Sequence, residues 1–316
     1  MRHPHLIHSP EFARASLADP LTLVDVGARG ALDPPWDSIA PSALRVIGFE
    51  PDSEECARLS ADAQPNRQFL PVALWSQEGE VVVHIAASPT CSSVYPPNQG
   101  LLSQFASEHG DPRATTATVR YPARALDDAL ESVGARCDFL KIDTQGSEWE
   151  ILSGASRTLT EQALGVLIET WTAEVHRGQQ LTGAVMSRMH EVGFQLFDVA
   201  VAAPWHRRAD LRLPMMGKAQ VVGLDLLYLR DPSKLDLGQA GDELRVLKAA
   251  AVAEVFGFPG FALEVLQNVA TADWTRAAQD IIVAAARGRR APAARARRLY
   301  RRLRSRPSGD FAPLHA

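Results

Sequence analysis

The sequence predicts an α/β protein whose mainly parallel sheet is covered by helices on both faces. Short apolar runs bounded by turn residues recur along the first 230 residues, and amphipathic stretches with helical spacing separate them. Strands that alternate with helices are typical of βαβ units, in which a parallel sheet is buried on both sides. The composition, with 46% hydrophobic and 22% charged residues, suits a globular domain of this class.

The apolar runs define eight predicted strands, and residues 77–79 form the predicted turn between the third and the fourth. These strands span residues 21–25, 44–49, 69–74, 81–85, 139–143, 166–169, 194–197 and 226–229. Helical periodicity separates several of them. The predicted helices span residues 53–61, 126–133, 148–159 and 181–192.

Two segments depart from this alternation. Residues 89–120 are rich in Ser, Thr, Pro and Asn, which indicates a lid or substrate loop, with a disordered surface loop as the alternative. Beyond residue 230 the strands stop and Ala/Leu/Val-rich helical patterns follow. We therefore divide the chain into an N-terminal arm (1–20), an α/β domain (21–232) and a helical extension (240–316).

Composition argues against several classes of protein. No stretch approaches the roughly 20 uncharged apolar residues of a membrane-spanning helix, and no apolar signal segment opens the chain. The three cysteines, Cys56, Cys91 and Cys137, are widely spaced and form no CxxC pair, which argues against a disulfide framework and against a zinc site. We expect a soluble cytoplasmic protein.

The charge of the chain is unevenly distributed. Residues 287–306 contain ten arginines and no acidic residue. Without these ten, 23 basic residues face 37 acidic ones, so that a body of charge −14 carries a tail of charge +10. Such an Arg-rich tail can contact an anionic partner or fold back on its own acidic body, and a solvated helix face is the simpler alternative.

A glycine-rich loop follows the first predicted strand. It runs from Asp25 through Gly27 and Ala28 to Gly30. Glycines at these positions let the backbone turn sharply from a strand into a helix and let a ligand approach the main chain. The spacing differs from the GxGxxG pattern of nicotinamide oxidoreductases, and no P-loop Gly-Lys-Ser/Thr follows. An ordinary strand–helix turn is the alternative.

Glu50 ends the second predicted strand, roughly 20 residues after the glycine loop, and Pro51 follows it. An acid at this position can accept hydrogen bonds from both hydroxyls of a ribose. The alternative is a surface acid that caps the following helix. The position next to the glycine loop favours a nucleoside-binding role.

A block of polar residues surrounds the predicted strand 139–143. Lys141 and Asp143 share one face of this strand, and Asp143 lies at its carboxyl-terminal tip. A lysine in an apolar strand is costly unless it is paired, so a structural ion pair with an acid explains Lys141 equally well. The tip position indicates that Asp143 faces the ligand crevice.

Together these blocks resemble the FkbM-type methyltransferases, a family that uses S-adenosylmethionine on a Rossmann-like sheet. The resemblance rests on the glycine loop, Phe49-Glu50-Pro51, residues 72–74, Leu126-Asp127 and the block 139–148 with its continuation to Gly154, and it covers residues 20–230. Arg29 departs from the family, since many relatives have Asn there. The resemblance implies a seven-stranded, mainly parallel sheet and a cofactor site formed by Asp25, Gly27, Ala28, Gly30, Glu50, Pro51, Ala73, Ser92 and Ser93.

The resemblance also implies methyl transfer to a hydroxyl of a sugar, a glycoconjugate or a secondary metabolite. A hydroxyl acceptor must lose its proton, which requires a carboxylate, a histidine or a metal-bound alkoxide. We expect Asp143 to be the base or, with Glu169, a ligand of Mg²⁺. Glu148 and His176 are further catalytic candidates.

Each of these assignments has a simpler alternative. Glu148 can cap the following helix, His176 can be a surface or loop histidine, and Ser92 and Ser93 can serve loop-turn chemistry. For the whole chain, the alternative is a protein that binds a polyanion or glycan through the Arg-rich tail, without catalysis, on a methyltransferase-like fold.

Overall fold

The computed structural model describes residues 6–208, 218–234, 242–267 and 273–288. The strands within these residues are β1 (Leu21–Val26), β2 (Leu44–Phe49), β3 (Arg67–Leu70), β4 (Ala73–Leu74), β5 (Gly79–Ala86), β6 (Thr115–Arg124), β7 (Phe139–Ile142), β8 (Gly165–Trp171), β9 (Phe194–Trp205) and β10 (Gln220–Arg230).

The α-helices within the same residues are α1 (Pro10–Ala15), α2 (Ser53–Ala61), α3 (Gln99–Leu102), α4 (Ser107–Gly110), α5 (Leu126–Ser132), α6 (Glu148–Ser153), α7 (Thr182–Glu191), α8 (Asp242–Val255), α9 (Pro259–Gln267) and α10 (Asp273–Gly288). Short 3₁₀ turns occupy Leu6–His8, Trp36–Ser38, Pro89–Cys91, Asp111–Arg113 and Pro232–Lys234. None of these helices is both long enough and apolar enough to cross a bilayer.

The main sheet has seven strands in the order β3-β2-β1-β7-β8-β10-β9. The first five of these are mutually parallel, whereas β10 is antiparallel to both of its neighbours. The Rossmann-like, mainly parallel sheet predicted from the sequence is therefore confirmed. The carboxyl ends of β1, β2, β7 and β8 meet at one edge, which is where ligands bind in open sheets of this kind.

Helices cover both faces of this sheet. On one face, side chains such as Leu23 and Phe139 form a core with α1 and with the C-terminal helices α8, α9 and α10. On the other face, Val24 and Ile142 pack with α5, α6 and α7. The helical extension is thus part of the hydrophobic core of the α/β domain.

Buried polar contacts join the extension to the rest of the chain. The Nζ atom of Lys248 lies 2.8 Å from Asp19 and 2.9 Å from Asp138, and the backbone N–H of Leu6 donates to Glu254 at 3.1 Å. These contacts lie near the amino end of β7, on the side of the sheet away from the ligand edge. Residues 289–316, which contain nine of the ten arginines of the tail, lie outside the described residues.

The expected helix after the glycine loop does not form. Pro34 and Pro35 lack the N–H groups that a helix needs, and only the 3₁₀ turn Trp36–Ser38 follows. The ring of Trp36 instead packs 4.7 Å from Phe139 and 5.6 Å from Phe256, which follows α8. The C-terminal extension therefore covers this part of the sheet.

The structure corrects the strands predicted between residues 69 and 85. Residues 69–74 divide between β3, at the edge of the main sheet, and β4, in a second sheet of order β4-β6-β5. The turn at 77–79 does not join neighbouring strands, because β5 pairs with β6 rather than with β4. Periodicity reports which residues can form strands, but it does not report which strands pair.

The segment 89–120 is folded in the structure. It contains α3 and α4, and its end forms most of β6, which the sequence did not predict because its Thr-rich pattern shows little apolar alternation. Leu102 and Phe105 are buried with Trp171 and Trp205, at the ends of β8 and β9. The segment therefore packs on the sheet beside the ligand edge and is not a disordered loop.

The helix expected over residues 148–159 is shorter than predicted. Helix α6 ends at Ser153, and a separate π-helical turn spans Thr158–Gln162. At Gly154 a Cβ atom would collide with the backbone oxygen of Trp75 and would lie 3.1 Å from the Cα of Ala125. Close packing of the backbone therefore explains a glycine at this position without any ligand role.

Candidate functional site

The glycine loop lies between the ends of β2 and β7. The backbone N–H groups of Gly27 and Ala28 both donate to the oxygen of Phe49, at 3.1 Å. Gly27 has a φ of +80°, and a Cβ atom there would collide with the backbone oxygen of Asp143. Gly30 has a φ of +95°, but its missing Cβ faces open space. Gly27 is therefore required by packing between loops, whereas Gly30 leaves room beside the main chain.

Asp25 is joined to Lys141 by a largely buried ion pair. The Nζ atom of Lys141 lies 3.0 Å from Oδ1 of Asp25 and 3.4 Å from Oδ2 of Asp33. Burial by itself lowers the pKa of Lys141, but Asp25, Asp143 and Asp33 outweigh it, so that the pKa is raised and the amine stays charged. The structural ion pair considered for Lys141 is present, and Asp25 is the acid that it contacts.

Glu50 is buried at the carboxyl end of β2. Its Oε1 accepts a hydrogen bond from the backbone N–H of Asp52 at 2.9 Å and lies 3.5 Å from the guanidinium of Arg29. Arg29 contacts Asp52 more closely, at 2.7 Å. Burial raises the pKa of Glu50, and the two donors partly oppose that shift. Pro51 follows, and the side chain of Asp52 rather than Glu50 caps α2.

Glu148 stabilises the turn that follows β7. Its Oε1 accepts hydrogen bonds from the backbone N–H groups of Gly146 at 3.0 Å and Thr144 at 3.3 Å, and from the Thr144 hydroxyl at 3.3 Å. The side chain is buried, and burial raises its pKa to about 7 despite these donors. The carboxyl group therefore holds the loop that carries Asp143.

Gln145 joins the two acids proposed as metal ligands, and sequence reasoning missed it. Its Nε2 atom lies 3.2 Å from Oδ1 of Asp143 and 2.5 Å from Oε2 of Glu169. Its backbone is left-handed, with a φ of +58°, which directs the chain across the ends of β7 and β8. No group of three or more His, Cys, Asp or Glu side chains that could hold a metal occurs among the residues the structure describes.

Ser92 and Ser93 make local hydrogen bonds after β5. The Ser92 hydroxyl accepts from the N–H of Ala86, and the Ser93 hydroxyl accepts from the N–H of Tyr95, each at 3.1 Å. Ser93 also reaches the loop after β7, since its Oγ would lie 3.5 Å from a Cβ built on Gly146. Ala73, in β4, is buried in the small sheet. The serines are thus engaged in turn chemistry, and Ser93 borders the loop of Asp143.

His176 is buried in the structure and is not a surface histidine. Its Nδ1 lies 3.2 Å from Oε1 of Gln179, which also accepts the backbone N–H of His176 at 2.8 Å. Burial first, and then the positive charge of Arg113, lower the pKa of His176 to about 3. The imidazole is therefore neutral at physiological pH, with its proton on Nδ1 toward Gln179.

Tyr121 is acted on by the charges around Glu50, which sequence reasoning did not anticipate. It lies on β6 with its ring in the apolar cluster of the small sheet. Burial raises its pKa, the negative charges of Asp52 and Glu50 raise it further, and the positive charge of Arg29 lowers it. Without β6 in the predicted fold, nothing in the sequence indicated that the charge of Glu50 would act on a tyrosine 71 positions further along the chain.

Comparisons with known proteins bear on this arrangement. Residues 25–196, which are 172 of the 316, match the family model of the FkbM methyltransferase domain. No curated protein matches the chain. The matched region includes the glycine loop, Glu50, Asp143, Glu148 and His176.

Several solved structures are similar at low identity. An FkbM methyltransferase from Methylobacillus flagellatus KT is 14% identical, with a TM-score of 0.33, over 66% of this chain and 44% of that one. Magnesium protoporphyrin IX methyltransferase from Synechocystis PCC 6803, solved with bound SAM, is 10% identical, with a TM-score of 0.34, over 70% and 74%. A TehB-like SAM-dependent methyltransferase from Corynebacterium glutamicum is 10% identical, with a TM-score of 0.31, over 70% and 88%.

These identities and TM-scores are low, and they bear on neither the activity nor the acceptor of this protein. The chain spans less than half the length of the Methylobacillus flagellatus protein. The family match is different in kind, because it covers more than half of the chain and includes both loops at the ligand edge. The chain belongs to the FkbM methyltransferase family.

Proposed function

We propose that this protein is an S-adenosylmethionine-dependent O-methyltransferase that acts on a hydroxyl of a sugar, a glycoconjugate or a secondary metabolite. The observation that carries the proposal is the contact between its two loops, in which Gly27 packs directly on the backbone of Asp143. Glu50 directly follows the neighbouring strand β2. A candidate nucleoside-binding acid and a candidate base therefore lie at one edge of the sheet.

The residues at this edge fit the cofactor. Both hydrogen bonds that Glu50 accepts go to Oε1, and no described residue donates to Oε2, which is therefore available to ribose hydroxyls. A Cβ atom built on Gly30 would meet no other atom within 4 Å, so the main chain of the glycine loop is open to a ligand there. The cofactor-binding set that we propose is Asp25, Gly27, Ala28, Gly30, Glu50, Pro51, Ala73, Ser92 and Ser93.

The chemistry requires alignment and proton removal. When bound, S-adenosylmethionine supplies an electrophilic methyl group on a sulfonium. The protein must hold the acceptor oxygen in line with that group and must remove the hydroxyl proton as the new C–O bond forms. We assign proton removal to Asp143, whose carboxylate Gln145 orients through its amide.

The other two catalytic candidates take supporting roles in this proposal. Glu148 positions the loop of Asp143 through the hydrogen bonds from Thr144 and Gly146. His176 is too weakly basic to be an efficient base near neutral pH, because its pKa is about 3. Its neutral imidazole can still accept a hydrogen bond at Nε2 from the acceptor.

The described residues do not fit a magnesium site. The amide of Gln145 contacts both Asp143 and Glu169, and no third metal-binding side chain joins them. A hard cation such as Mg²⁺ requires oxygen ligands, whereas the NH₂ group between these acids is a hydrogen-bond donor. We therefore derive no step through a metal ion.

The first experiment measures the binding of S-adenosylhomocysteine by calorimetry to the wild type, to Glu50→Ala and to Glu54→Ala. Glu54 is an exposed acid on α2 and serves as the matched control. We expect Glu50→Ala to weaken binding by about tenfold or more, which corresponds to the free energy of one charged hydrogen bond. We expect Glu54→Ala to leave the affinity unchanged. A folded wild type that does not bind would contradict the proposal.

The second experiment tests the base. In a screen of hydroxyl acceptors, we expect Asp143→Asn to reduce the rate of methyl transfer by about 10²- to 10⁴-fold while the affinity for S-adenosylhomocysteine is retained. An unchanged rate would show that another group removes the proton. The alternative function, polyanion binding by the Arg-rich tail, has no supporting observation, because residues 289–316 lie outside the described residues.

A further inference from the structure

A cluster of polar side chains lies next to the loop of Asp143, and, apart from His176, the reaction as proposed does not use it. It consists of Arg113, in the 3₁₀ turn Asp111–Arg113 of the folded segment 89–120, of Trp171, at the end of β8, and of His176 with Gln179 in the loop that follows. The guanidinium carbon of Arg113 lies 5.5 Å from the ring centre of Trp171. The ring centres of Trp171 and His176 are 6.3 Å apart. We call this set the donor cluster.

Three buried nitrogen atoms of the donor cluster have no hydrogen-bond acceptor among the described residues: Arg113 Nε, Trp171 Nε1 and Gln179 Nε2. The orientation of Gln179 is set by its oxygen, which accepts the backbone N–H of His176. Its NH₂ group is therefore a genuine unpaired donor. Buried donors without acceptors are destabilising, and in native proteins each one calls for a ligand, an ion, a water or a functional reason.

The charge of the donor cluster is also uncompensated. The guanidinium of Arg113 stacks 4.6 Å from the ring centre of Trp205 and donates to the backbone oxygen of His109 at 2.9 Å, but no carboxylate lies within ion-pair distance of it among the described residues. The positive charge of Arg113 also acts on His176, where it lowers the pKa of the imidazole. A fixed cation that is packed against aromatic rings and lacks a counter-ion favours an anionic ligand over water.

We propose that the donor cluster binds an anionic group, a carboxylate or a phosphate, on the methyl acceptor. Arg113 supplies the charge, and the unpaired N–H groups of Trp171 and Gln179 are the additional donors to its oxygens. This inference rests on the proposed function and narrows its acceptor to a hydroxyl compound that carries a negative charge. The oxygens of such a ligand would accept hydrogen bonds from the unpartnered donors, and its negative charge would pair with the guanidinium.

The donor cluster is near enough to the reacting edge to bind one end of a small acceptor. A Cβ atom on Gly146, in the loop of Asp143, would lie 3.3 Å from Oε1 of Gln179. Gln179 therefore contacts that loop on one side and His176 on the other. Gln179 thus joins the donor cluster to the loop of Asp143, so that an acceptor whose anionic group binds Arg113 extends toward that loop in this proposal.

A purely structural role for Arg113 is the competing explanation, since its stacking on Trp171 and Trp205 also fastens the segment 89–120 to the sheet. Calorimetric titrations distinguish this structural role from an anion-binding role. The ligands are D-glucuronate, D-glucose 6-phosphate and uncharged D-glucose, each titrated with S-adenosylhomocysteine present and absent. We expect at least one of the two anionic sugars to bind the wild type tenfold or more tightly than glucose. Which of them binds more tightly identifies the carboxylate or the phosphate.

The variants are Arg113→Gln and, as a matched control, Arg120→Gln, which changes an exposed arginine on β6. We expect Arg113→Gln to remove the preference for the anionic sugars, by about ten- to hundredfold, and Arg120→Gln to retain it. If Arg113→Gln does not fold, Trp171→Phe keeps the aromatic ring and removes one donor, and it should weaken anion binding about two- to tenfold.

Two results would overturn the inference: no preference of the wild type for either anionic sugar at tens of millimolar, or an unchanged preference in the folded Arg113→Gln variant. These titrations require no methyl transfer, so failure of the anion site can be distinguished from failure of the proposed function. Anion binding without S-adenosylhomocysteine binding would sustain the site and reject the methyltransferase proposal. The reverse result would reject the site alone.

Discussion

The amine of Lys141 lies 3.0 Å from the carboxylate of Asp25, and this ion pair joins β7 to β1 directly below the glycine loop. Both side chains are largely buried and have lost most of their hydration. The attraction between the two charges compensates for that loss. Asp25 is thereby held in position by a structural partner. The pair orders the two strands whose ends form the candidate site.

Removal of the amine should be strongly destabilising. Lys141→Met leaves Asp25 buried without its cation, which typically costs about 3–5 kcal/mol. Urea denaturation of the wild type and the variant measures this loss. Glu191→Gln is the control, because it removes an exposed partner of Arg188 at 3.9 Å and should change stability by less than about 0.5 kcal/mol. Equal effects of the two substitutions would show that the Lys141–Asp25 pair is energetically unimportant.

The two glycines of the loop should respond differently to alanine. Both have a positive φ, which costs a non-glycine residue about 1–2 kcal/mol. Gly30→Ala should lose only that amount, because its Cβ enters open space. Gly27→Ala should lose more than about 3 kcal/mol, because the same atom collides with the Asp143 backbone. Denaturation curves that coincide for the two variants would contradict this difference.

Glu148 should make the folded state less stable as pH rises. Burial raises its folded pKa to about 7, above the 4.5 of an exposed glutamate, so its contribution is complete below pH 4.5 and is lost as pH rises through 7. Between pH 5 and 8 the wild type should lose about 2 kcal/mol relative to Glu148→Gln, which does not titrate. Urea unfolding at several pH values measures the difference, and parallel pH profiles would refute it.

His176 should make the folded state less stable as pH falls. Its folded pKa of about 3 lies below the 6.5 of an exposed histidine, so its contribution is present above pH 6.5 and is lost as pH falls. From pH 6.5 to 4.5 the wild type should lose about 2 kcal/mol relative to His176→Gln. The control His190→Gln, at an exposed position on α7, should show no such dependence. Proton NMR of the imidazole would detect a contradictory pKa near 6.5.

Much of the fold follows from local patterns in the sequence. The apolar runs that became β1, β2, β7 and β8 are short, continuous and flanked by turn residues, as buried parallel strands are. Because the carboxyl ends of such strands meet at one edge, the sequence alone indicated that the glycine loop, Glu50 and Asp143 would be neighbours. Helix α2 and the position of Glu50 at the carboxyl end of β2 could be predicted without any knowledge of the tertiary structure.

Tertiary structure decided which side chains meet. Lys141 pairs with Asp25 rather than with Asp143. Gln145 joins Asp143 to Glu169, and Ser93, in the loop after β5, borders the loop of Asp143. Each contact links positions far apart in sequence or depends on a left-handed turn. Local periodicity records how a segment buries its own apolar side, whereas partners are chosen by the packing of segments against one another.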